Sequence, residues 1–365
     1  MGQSPGRENP HPALRADLSR KRERCTVSSA GIEPTKANPA FDTQAPMTIM
    51  PSQQLPHLTD AESFRAFRSA SSQWLPIALD IARGHSLDVG SPHVFPTGTN
   101  LVIELGDRLI LKIFPPLLRA QFVSERASLM QLAGRLHLPV PEIAAEGVRD
   151  GWPYLVITRL AGTLGSEVWP HLPEDQKERV LRQIGETIAS VQRIPLGELA
   201  HIEPRWGAFM RQQMQGCRAR HTRLGLAPKF LAGLDDLLRD AAQLIPMDAP
   251  PVILIGEYIP ENFLLACDDG QWSLKGLFDF GDVLAGWRDY DLLGPSAFMA
   301  AGRPGRVRSL LEGFGYTKLD FALKRRLMAL MLLHRASDLN SHICIEGWQE
   351  RAADLVELQE LIWPG

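Results

Sequence analysis

The spacing of apolar residues changes once along the chain, and this change constrains the fold more than any other feature of the sequence. Between about residues 100 and 160, apolar residues come in short runs separated by turn residues, which is typical of β-strands. After Gly162 they recur every three or four positions, which is typical of amphipathic helices. Residues 262–278 interrupt the helical part and predict a β-hairpin with its turn at residues 268–270. We therefore expect an α+β protein with a small β-rich N-lobe and a larger, mainly helical C-lobe that contains a central β-hairpin.

The predicted N-lobe starts with a helix over residues 59–83, for which Asp60 can serve as the N-cap. Two strands around a turn follow over residues 100–114. A polar helix over 118–135 and a further strand over 151–160 complete the lobe.

In the predicted C-lobe the clearest helix covers residues 173–192, because its apolar residues fall on one face. Further helices are predicted over 228–244 and 305–362, whereas the pattern of residues 203–224 favours no one structure. No internal repeat is visible, so the order of elements describes two lobes and not a repeat array.

The composition excludes several classes of partner. The formal net charge is −3, so the chain lacks the basic excess that nucleic-acid or anionic-membrane binding needs. No stretch of the sequence approaches the roughly 20 apolar residues of a membrane-spanning helix. The four cysteines are widely separated, which fits neither a disulfide framework nor zinc-ligand spacing. We expect a cytoplasmic protein, a monomer or a homodimer, with no nucleic-acid or membrane partner.

The first part of the chain differs from the rest. Residues 1–55 are rich in Pro, Ser, Arg and Asn and show almost no apolar periodicity, so we expect a disordered tail. The basic run at residues 20–24 is not followed by the apolar core of a secretory signal. Met47 and Met50 lie just before the first helical pattern, and either is a candidate for the true start of translation.

Lys112 ends the second of the two strands over residues 100–114 and stands among apolar residues. A lysine in such a position faces a cleft or extends along an edge of the sheet. Glu125, on the helix that follows, can pair with Lys112 and hold its ammonium group against phosphates. A strand lysine followed by a helix glutamate is the arrangement of a protein-kinase-like N-lobe.

The strongest motif combines a loop, the central hairpin and an aspartate. Residues 255–262 read Ile-Gly-Glu-Tyr-Ile-Pro-Glu-Asn, so Glu257 and Asn262 have the spacing of the Asp and Asn in a kinase catalytic loop. Asp279 follows the second strand of the hairpin. Because Asn262 precedes one strand and Asp279 follows its neighbour, we expect both side chains to lie close enough to share one Mg²⁺ ion. The order and spacing of Glu257, Asn262 and Asp279 along the chain favour phosphoryl transfer from ATP.

The motifs resemble the aminoglycoside phosphotransferase family, which has a protein-kinase-like fold, over roughly residues 60–340. Within that family the chain looks most similar to hygromycin B phosphotransferases. The resemblance implies a nucleotide-binding N-lobe over residues 56–161 and a C-lobe over residues 162–365 with the catalytic loop and the acceptor site. The segments that carry the resemblance are Gly98-Thr-Asn100, Leu111-Lys-Ile-Phe114, Pro139-Val-Pro141, Trp152-Pro-Tyr-Leu-Val156, Arg193-Ile-Pro195, Phe278-Asp-Phe-Gly-Asp-Val-Leu-Ala-Gly286 and Asp289-Tyr-Asp-Leu-Leu293.

ATP and Mg²⁺ are the cofactors that the resemblance implies. It assigns Lys112 to the α- and β-phosphates with Glu125 as its partner, and the backbone of residues 157–160 to adenine. It assigns Asn262 and Asp279 to magnesium. The residues expected to contact the nucleotide are Lys112, Glu125, Thr97, Thr99, Thr158 and Leu160, and the expected catalytic residues are Glu257, Asn262 and Asp279.

The catalytic loop departs at two positions from the family's usual pattern, His-Gly-Asp-x-x-x-x-Asn. Ile255 replaces the histidine, and Glu257 replaces the aspartate that accepts the proton of the acceptor hydroxyl. Three interpretations follow. The loop is re-spaced so that Glu257 still acts as the base, aided by Tyr258; the acceptor differs from an aminoglycoside; or the protein binds nucleotide without transferring phosphate.

We therefore predict an ATP- and Mg²⁺-dependent O-phosphotransferase that acts on a hydroxyl of a small molecule, with an aminoglycoside such as hygromycin B as a candidate acceptor. The alternative is a nucleotide-binding pseudokinase or regulatory module without transfer activity. A cationic acceptor requires an acidic cleft in the C-lobe, for which the candidate side chains are Glu257, Glu261, Asp338 and Glu346.

Overall fold

The computed structural model of the protein describes residues 54–96 and 98–365. The predicted tail over residues 1–55 therefore lies outside the described residues except for its last two, and so do Met47 and Met50. No helix within the described ranges is long and apolar enough to cross a membrane. The cytoplasmic location, the oligomeric state and the lack of a nucleic-acid partner stay predictions.

The N-lobe contains a five-stranded antiparallel sheet with the spatial order β1-β2-β3-β5-β4. Its strands are β1 (His93–Val94), β2 (Leu101–Leu105), β3 (Leu109–Ile113), β4 (Ile143–Arg149) and β5 (Trp152–Thr158). Along β2, fully buried residues alternate with partly buried ones, as expected for a strand with one face on the core. Lys112 of β3 pairs with Val102 on one side and with Leu155 on the other, so it lies near the centre of the sheet.

Three helices accompany this sheet: α1 (Ala61–Ser69), α2 (Ser71–Gly84) and α3 (Arg119–Leu132). Asp60 caps α1 as predicted, because its carboxylate accepts the backbone N–H groups of Glu62 and Ser63. The prediction of one helix over residues 59–83 is wrong, since Ala70 leaves the helical conformation with ψ at 64° and separates α1 from α2. Phe64 of α1 and Trp74 of α2, on either side of the break, belong to one hydrophobic cluster.

The C-lobe is mainly helical, and most of residues 203–224, for which the sequence favoured no structure, form one long helix. The predicted helix over residues 228–244 is two helices that meet at Gly233. The α-helices are α4 (Gly165–Val168), α5 (Glu174–Val191), α6 (Trp206–Arg223), α7 (Pro228–Ala232), α8 (Leu234–Leu244), α9 (Pro304–Phe314), α10 (Phe321–Leu333), α11 (Leu339–His342), α12 (Trp348–Arg351) and α13 (Leu355–Ile362). Short 3₁₀ turns cover Pro116–Leu118, Trp169–His171, Gly197–His201, Pro260–Asn262 and Arg288–Leu292, and a π-helix covers Pro295–Ala300.

The predicted central hairpin is confirmed. Its strands are β8 (Phe263–Asp268) and β9 (Gln271–Leu277), and a short strand β6 (Thr163–Leu164) extends it to three strands. Asp269 and Gly270 both have positive φ, at 50° and 75°, which is the backbone that a tight two-residue hairpin turn requires. A second antiparallel pair joins β7 (Val252–Leu254) to β10 (Leu284–Gly286). Together the two pairs hold the loop after β7 and the segment after β9 side by side.

Helices α5 and α9 cross at a close contact that small residues make possible. A methyl group at Gly185 would lie 2.3 Å from the carbonyl oxygen of Leu310. We expect Gly185→Ala to lower the free energy of unfolding by about 1–3 kcal/mol, because the two helices must move apart.

Gly216 of α6 is the matched control, since nothing lies within 4 Å of a methyl group there. Gly216→Ala should raise the stability by roughly 0.5–1 kcal/mol. Urea denaturation of both variants measures the difference, and equal shifts in the same direction would contradict the close contact.

Candidate active site

Lys112 lies in a buried cluster of charges where the two lobes meet. Its Nζ donates hydrogen bonds to both carboxylate oxygens of Glu125, each at 2.6 Å. The same Nζ lies 3.4 Å from Oδ1 of Asp279, which follows β9 in the C-lobe. Lys112 is 8% exposed and Glu125 is 1% exposed, so water screens their attraction little. The predicted pairing of Lys112 with Glu125 is confirmed.

Burial and opposite charge act against each other on this pair. Burial alone would lower the pKa of Lys112, but the carboxylates of Glu125 and Asp279 raise it above its ordinary value. Burial raises the pKa of Glu125 to about 6, although the Lys112 ammonium pulls it down. Both groups are therefore charged above a pH of about 6, and the ion pair is intact there.

The loop that connects β7 to β8 carries Glu257 and Asn262, and a buried aspartate holds the start of this loop. The carboxylate of Asp291 accepts the backbone N–H groups of Ile255 at 3.2 Å and Gly256 at 2.8 Å. Burial raises the pKa of Asp291 to about 7, although the two N–H groups lower it. Both carboxylate oxygens of Asp291 accept these hydrogen bonds, and the residue is 1% exposed. Asp291 therefore positions the loop and does not face a substrate.

Glu257 and Asn262 contact each other across the loop. Nδ2 of Asn262 donates to the carbonyl oxygen of Glu257 at 3.1 Å and to its carboxylate Oε2 at 3.2 Å. With Nδ2 turned toward Glu257, Oδ1 is the atom through which Asn262 can ligate a cation. The side chain of Glu257 is one methylene longer than that of aspartate, and its carboxylate accepts a hydrogen bond from this amide.

Asp279 stands at the same end of the hairpin as Asn262, because the N–H of Phe278 donates to the Asn262 carbonyl at 3.0 Å. Its φ is +70°, a left-handed conformation that costs energy in most residues and that Asp tolerates better than most. The carboxylate of Asp279 and the amide oxygen of Asn262 are hard ligands of the kind that Mg²⁺ prefers. In the described part of the chain no group of three or more His, Cys, Asp or Glu side chains is arranged to hold a metal. A magnesium ion at this site would therefore need phosphate and water oxygens as well.

Two candidate functional residues, His334 and Arg335, follow helix α10 and match no motif that sequence reasoning used. Nη1 of Arg335 donates to Oδ1 of Asp282 at 3.0 Å. Burial alone would lower the pKa of Arg335, but Asp282, Tyr290 and, more weakly, Glu257 raise it above its ordinary value, so this guanidinium is positively charged. The ring of His334 stacks on Tyr290 with 4.6 Å between the centroids. Burial lowers the pKa of His334 to about 3, so this ring is neutral.

The remaining residues predicted to contact the nucleotide have varied surroundings. Thr97 lies outside the described residues. Oγ1 of Thr99 accepts a long hydrogen bond, 3.4 Å, from the side-chain amide Nδ2 of Asn100. Thr158 is bound into the sheet, since its N–H and its Oγ1 both bond to the backbone of Glu142 at 2.9 Å. Leu160 lies over the backbone of β9. Their contact with a nucleotide stays a prediction.

A narrow cleft with a cavity volume of about 50 Å³, open to solvent on one side, lies beside Glu257 in the C-lobe. Among the described residues that line it, Glu257 is the one carboxylate, and the other acids expected there, Glu261, Asp338 and Glu346, do not line it. Tyr258 is 1% exposed and packs into the core, so the idea that it aids Glu257 is wrong. The lining residues include Ile259, Leu293, Ala297, Phe298, Met331, His334, Ser337, Leu339 and His342.

The chain belongs to the phosphotransferase enzyme family, abbreviated APH. The model of this family matches residues 98–330, well over half of the chain. The matched range contains the Lys112–Glu125 pair, the loop with Glu257 and Asn262, and Asp279. The predicted family is therefore confirmed, while the closer similarity to hygromycin B phosphotransferases stays a prediction.

Solved structures of aminoglycoside phosphotransferases have the same fold. The GDP complex of wild-type aminoglycoside 2'-phosphotransferase-IIIa is 19% identical and has a TM-score of 0.59, with 79% of this chain and 96% of that chain covered. The streptomycin–ATP–APH(2")-IIa ternary complex is 12% identical, with a TM-score of 0.52 and coverage of 70% and 87%. ADP-bound APH(2'')-Ib is 12% identical, with a TM-score of 0.51 and coverage of 79% and 96%. At these identities the likeness shows the fold alone, and it confirms the predicted kinase-like two-lobe architecture.

Proposed function

We propose that this protein transfers the γ-phosphoryl group of ATP, with Mg²⁺, to a hydroxyl of a small molecule bound in the cleft beside Glu257. The observation that carries the proposal is the convergence of Glu125 and Asp279 on the Lys112 ammonium, at distances of 2.6 and 3.4 Å, next to the Glu257–Asn262 contact. Phosphoryl transfer depends on positioning and on neutralising charge. This arrangement provides a fixed cation, two oxygen ligands for a metal and a carboxylate that can accept a proton.

On the nucleotide side, Glu125 orients Lys112 so that its ammonium meets the α- and β-phosphates. Asn262 and Asp279 would hold magnesium, which when bound neutralises charge on the transferring group. The proposed secondary contacts are Thr97 and Thr99 for the phosphates and the linker with Thr158 and Leu160 for adenine.

On the acceptor side, the carboxylate of Glu257 accepts the proton of the attacking hydroxyl and orients its oxygen toward the phosphoryl group. Asp291 fixes the loop through two backbone N–H groups, so the position of Glu257 is set before the acceptor binds.

Within this proposal an aminoglycoside such as hygromycin B is a candidate acceptor, on the basis of the sequence resemblance and of the streptomycin bound by a structural relative. The alternative of a nucleotide-binding module without transfer activity rests on the replacements at positions 255 and 257. Against it stand the contact of Asn262 with Glu257 at 3.2 Å and the hydrogen bond at 3.0 Å from the N–H of Phe278, which precedes Asp279, to the Asn262 carbonyl.

The direct test incubates the purified full chain with ATP, Mg²⁺ and each member of a panel of aminoglycosides and other alcohols. We expect ADP release that requires both the acceptor and Mg²⁺, with a product that mass spectrometry identifies as the singly phosphorylated acceptor. Saturable ATP binding together with no acceptor-dependent ADP release across the panel would favour the binding module and contradict the proposal.

We expect the affinity for ATP to fall by about tenfold as the pH drops through about 6. Glu125 is charged above its pKa and neutral below it, so proton uptake breaks the ion pair that orients Lys112. Titration with a fluorescent ATP analogue between about pH 5 and pH 8 measures the effect. The Glu125→Gln variant should bind ATP weakly at every pH. Its affinity should change with pH only as much as the titration of the nucleotide's own phosphates requires. Equal slopes in the two proteins would contradict the role of Glu125.

A further inference from the structure

We infer that the acceptor is a neutral alcohol that carries an apolar ring or chain next to the phosphorylated hydroxyl, in preference to the polycationic aminoglycosides that the sequence resemblance suggests. This inference rests on the proposed function, because it names the acceptor class of the same site. It follows from the lining of the cleft beside Glu257, from the charges around that lining and from one buried hydroxyl.

The walls of the cleft are mainly apolar. Leu293 and Phe298 line it from the segment around the π-helix, and Met331 and Leu339 line it from α10 and α11. The ring of Phe298 also packs against His342, with 5.2 Å between their centroids. Apolar surface of this kind gains free energy by removing apolar ligand area from water, and it gains nothing from ammonium groups, which lose their hydration.

The charges around the cleft disfavour a polycation. Glu257 is the one carboxylate among the described lining residues, and the proposed mechanism already uses it. Arg335 does not line the cleft, and its guanidinium is paired with Asp282 at 3.0 Å. Two further acids that would attract ammonium groups, Glu261 and Glu346, do not line the cleft. A ligand with several positive charges would therefore meet one negative partner in the cleft, and its other ammonium groups would stay unpaired.

The polar groups that do line the cleft suit a neutral ligand. Ser337 is 4% exposed, and its Oγ has no hydrogen-bond partner among the described residues. A buried hydroxyl without a partner is unfavourable, so a hydroxyl or carbonyl oxygen of the ligand would complete this position. His334 is held neutral by burial, and its Nδ1 accepts the N–H of Ala336 at 3.3 Å. Ser337 can bond to a neutral oxygen without the pairing of charges, and the neutral His334 ring adds no charge to the wall.

Dissociation constants of the full chain for matched ligands test the inference independently of catalysis. Cyclohexanol and inositol share a six-membered ring and differ in polarity, menthol and testosterone add apolar area, and streptomycin and hygromycin B are polycationic. Each buried methylene adds a factor of about three to four in affinity, so menthol should bind at least about 50-fold more tightly than cyclohexanol. Inositol and both aminoglycosides should bind more weakly than menthol. Acceptor-dependent ADP release with the same ligands, measured in parallel, should follow the same order.

Variants of the lining separate this site from other binding surfaces. Phe298→Ala should weaken menthol binding about tenfold, whereas Phe321→Ala, which removes a 58% exposed ring at the start of α10, should leave it unchanged. Ser337→Ala should weaken binding of the ligands that carry a second oxygen, such as testosterone, by about threefold to tenfold. Asp338→Asn should change none of these affinities, because Asp338 does not line the cleft.

Tighter binding of the aminoglycosides than of the neutral alcohols would overturn the inference, as would loss of aminoglycoside binding in Asp338→Asn. Failure of every neutral alcohol to bind would overturn it too. If the neutral alcohols bind in the expected order and lose affinity in Phe298→Ala but are never phosphorylated, the ligand class stands and the proposed function fails. If aminoglycosides are phosphorylated with the higher kcat/KM, the proposed function stands and the inference fails.

Discussion

Replacement of Asp279 by alanine should lower kcat/KM by about 10³-fold in an assay with ATP, Mg²⁺ and an active acceptor. Its carboxylate is 3.4 Å from the Lys112 ammonium and stands at the same end of the hairpin as Asn262. Without it, magnesium loses one of its two proposed protein ligands, and charge on the transferring group is no longer neutralised. The effect of Mg²⁺ on ATP affinity should shrink in parallel.

The same hairpin contains a matched control for this variant. Asp269 is also an aspartate with positive φ, at 50° against 70° for Asp279, and it lies at the exposed turn. Both alanine variants should therefore lose similar stability, on the order of 1 kcal/mol, from placing alanine in a left-handed conformation. Only Asp279→Ala should lose activity. Magnesium-dependent turnover of Asp279→Ala within about threefold of the parent protein would contradict the assignment of Asp279, because loss of a group that stabilises transition-state charge lowers turnover by about 10²- to 10³-fold.

Replacement of Glu257 by glutamine should lower kcat by about 10²- to 10⁴-fold while the KM for ATP stays nearly constant. Glutamine keeps the shape and the contact with Asn262, which is 3.2 Å in the native protein, but it cannot accept the proton of the acceptor hydroxyl. Glu257→Asp should also lose activity, by about 10- to 100-fold, because the shorter side chain draws the carboxylate back from its position in the cleft. Steady-state kinetics with each substrate varied in turn separates kcat from KM.

Glu261→Gln serves as the control for a charge change in the same loop, since Glu261 does not line the cleft. It should leave kcat within about threefold of the parent value, as expected for a polar substitution away from the reacting atoms. If Glu257→Gln also retained kcat within that range, Glu257 would not be the base. The replacement of the family's aspartate would then indicate a different way of activating the acceptor.

The pairing of Lys112 with Glu125 was predictable because it depends on local pattern. A strand with one polar residue among apolar ones and a helix directly after it bring those two side chains together in this kind of lobe. The hairpin that joins Asn262 to Asp279 was predictable for a similar reason, since the turn at Asp269 and Gly270 fixes which ends of the strands meet.

Other features depend on contacts between distant parts of the chain, and the sequence pattern did not reveal them. The helix predicted over residues 59–83 breaks at Ala70, and its two parts contribute Phe64 and Trp74 to one core cluster. Tyr258 is next to Glu257 in sequence but points into the core, because neighbouring residues of an extended loop face opposite sides. His334 approaches the catalytic loop from the end of α10, and no spacing rule connects positions so far apart.

The sequence by itself determined the two-lobed α+β class, the family and the order of the residues proposed to bind ATP and magnesium, since these follow from local periodicity and from short motifs. Only the tertiary structure decided what surrounds Glu257. The packing of the loop after β7 against α10 and the π-helix brings Phe298, Met331 and Ser337 to one cleft and leaves Glu261 outside it. Chemical selectivity for the acceptor depends on that long-range packing, because a small ligand senses which side chains meet in space and not their distance along the chain.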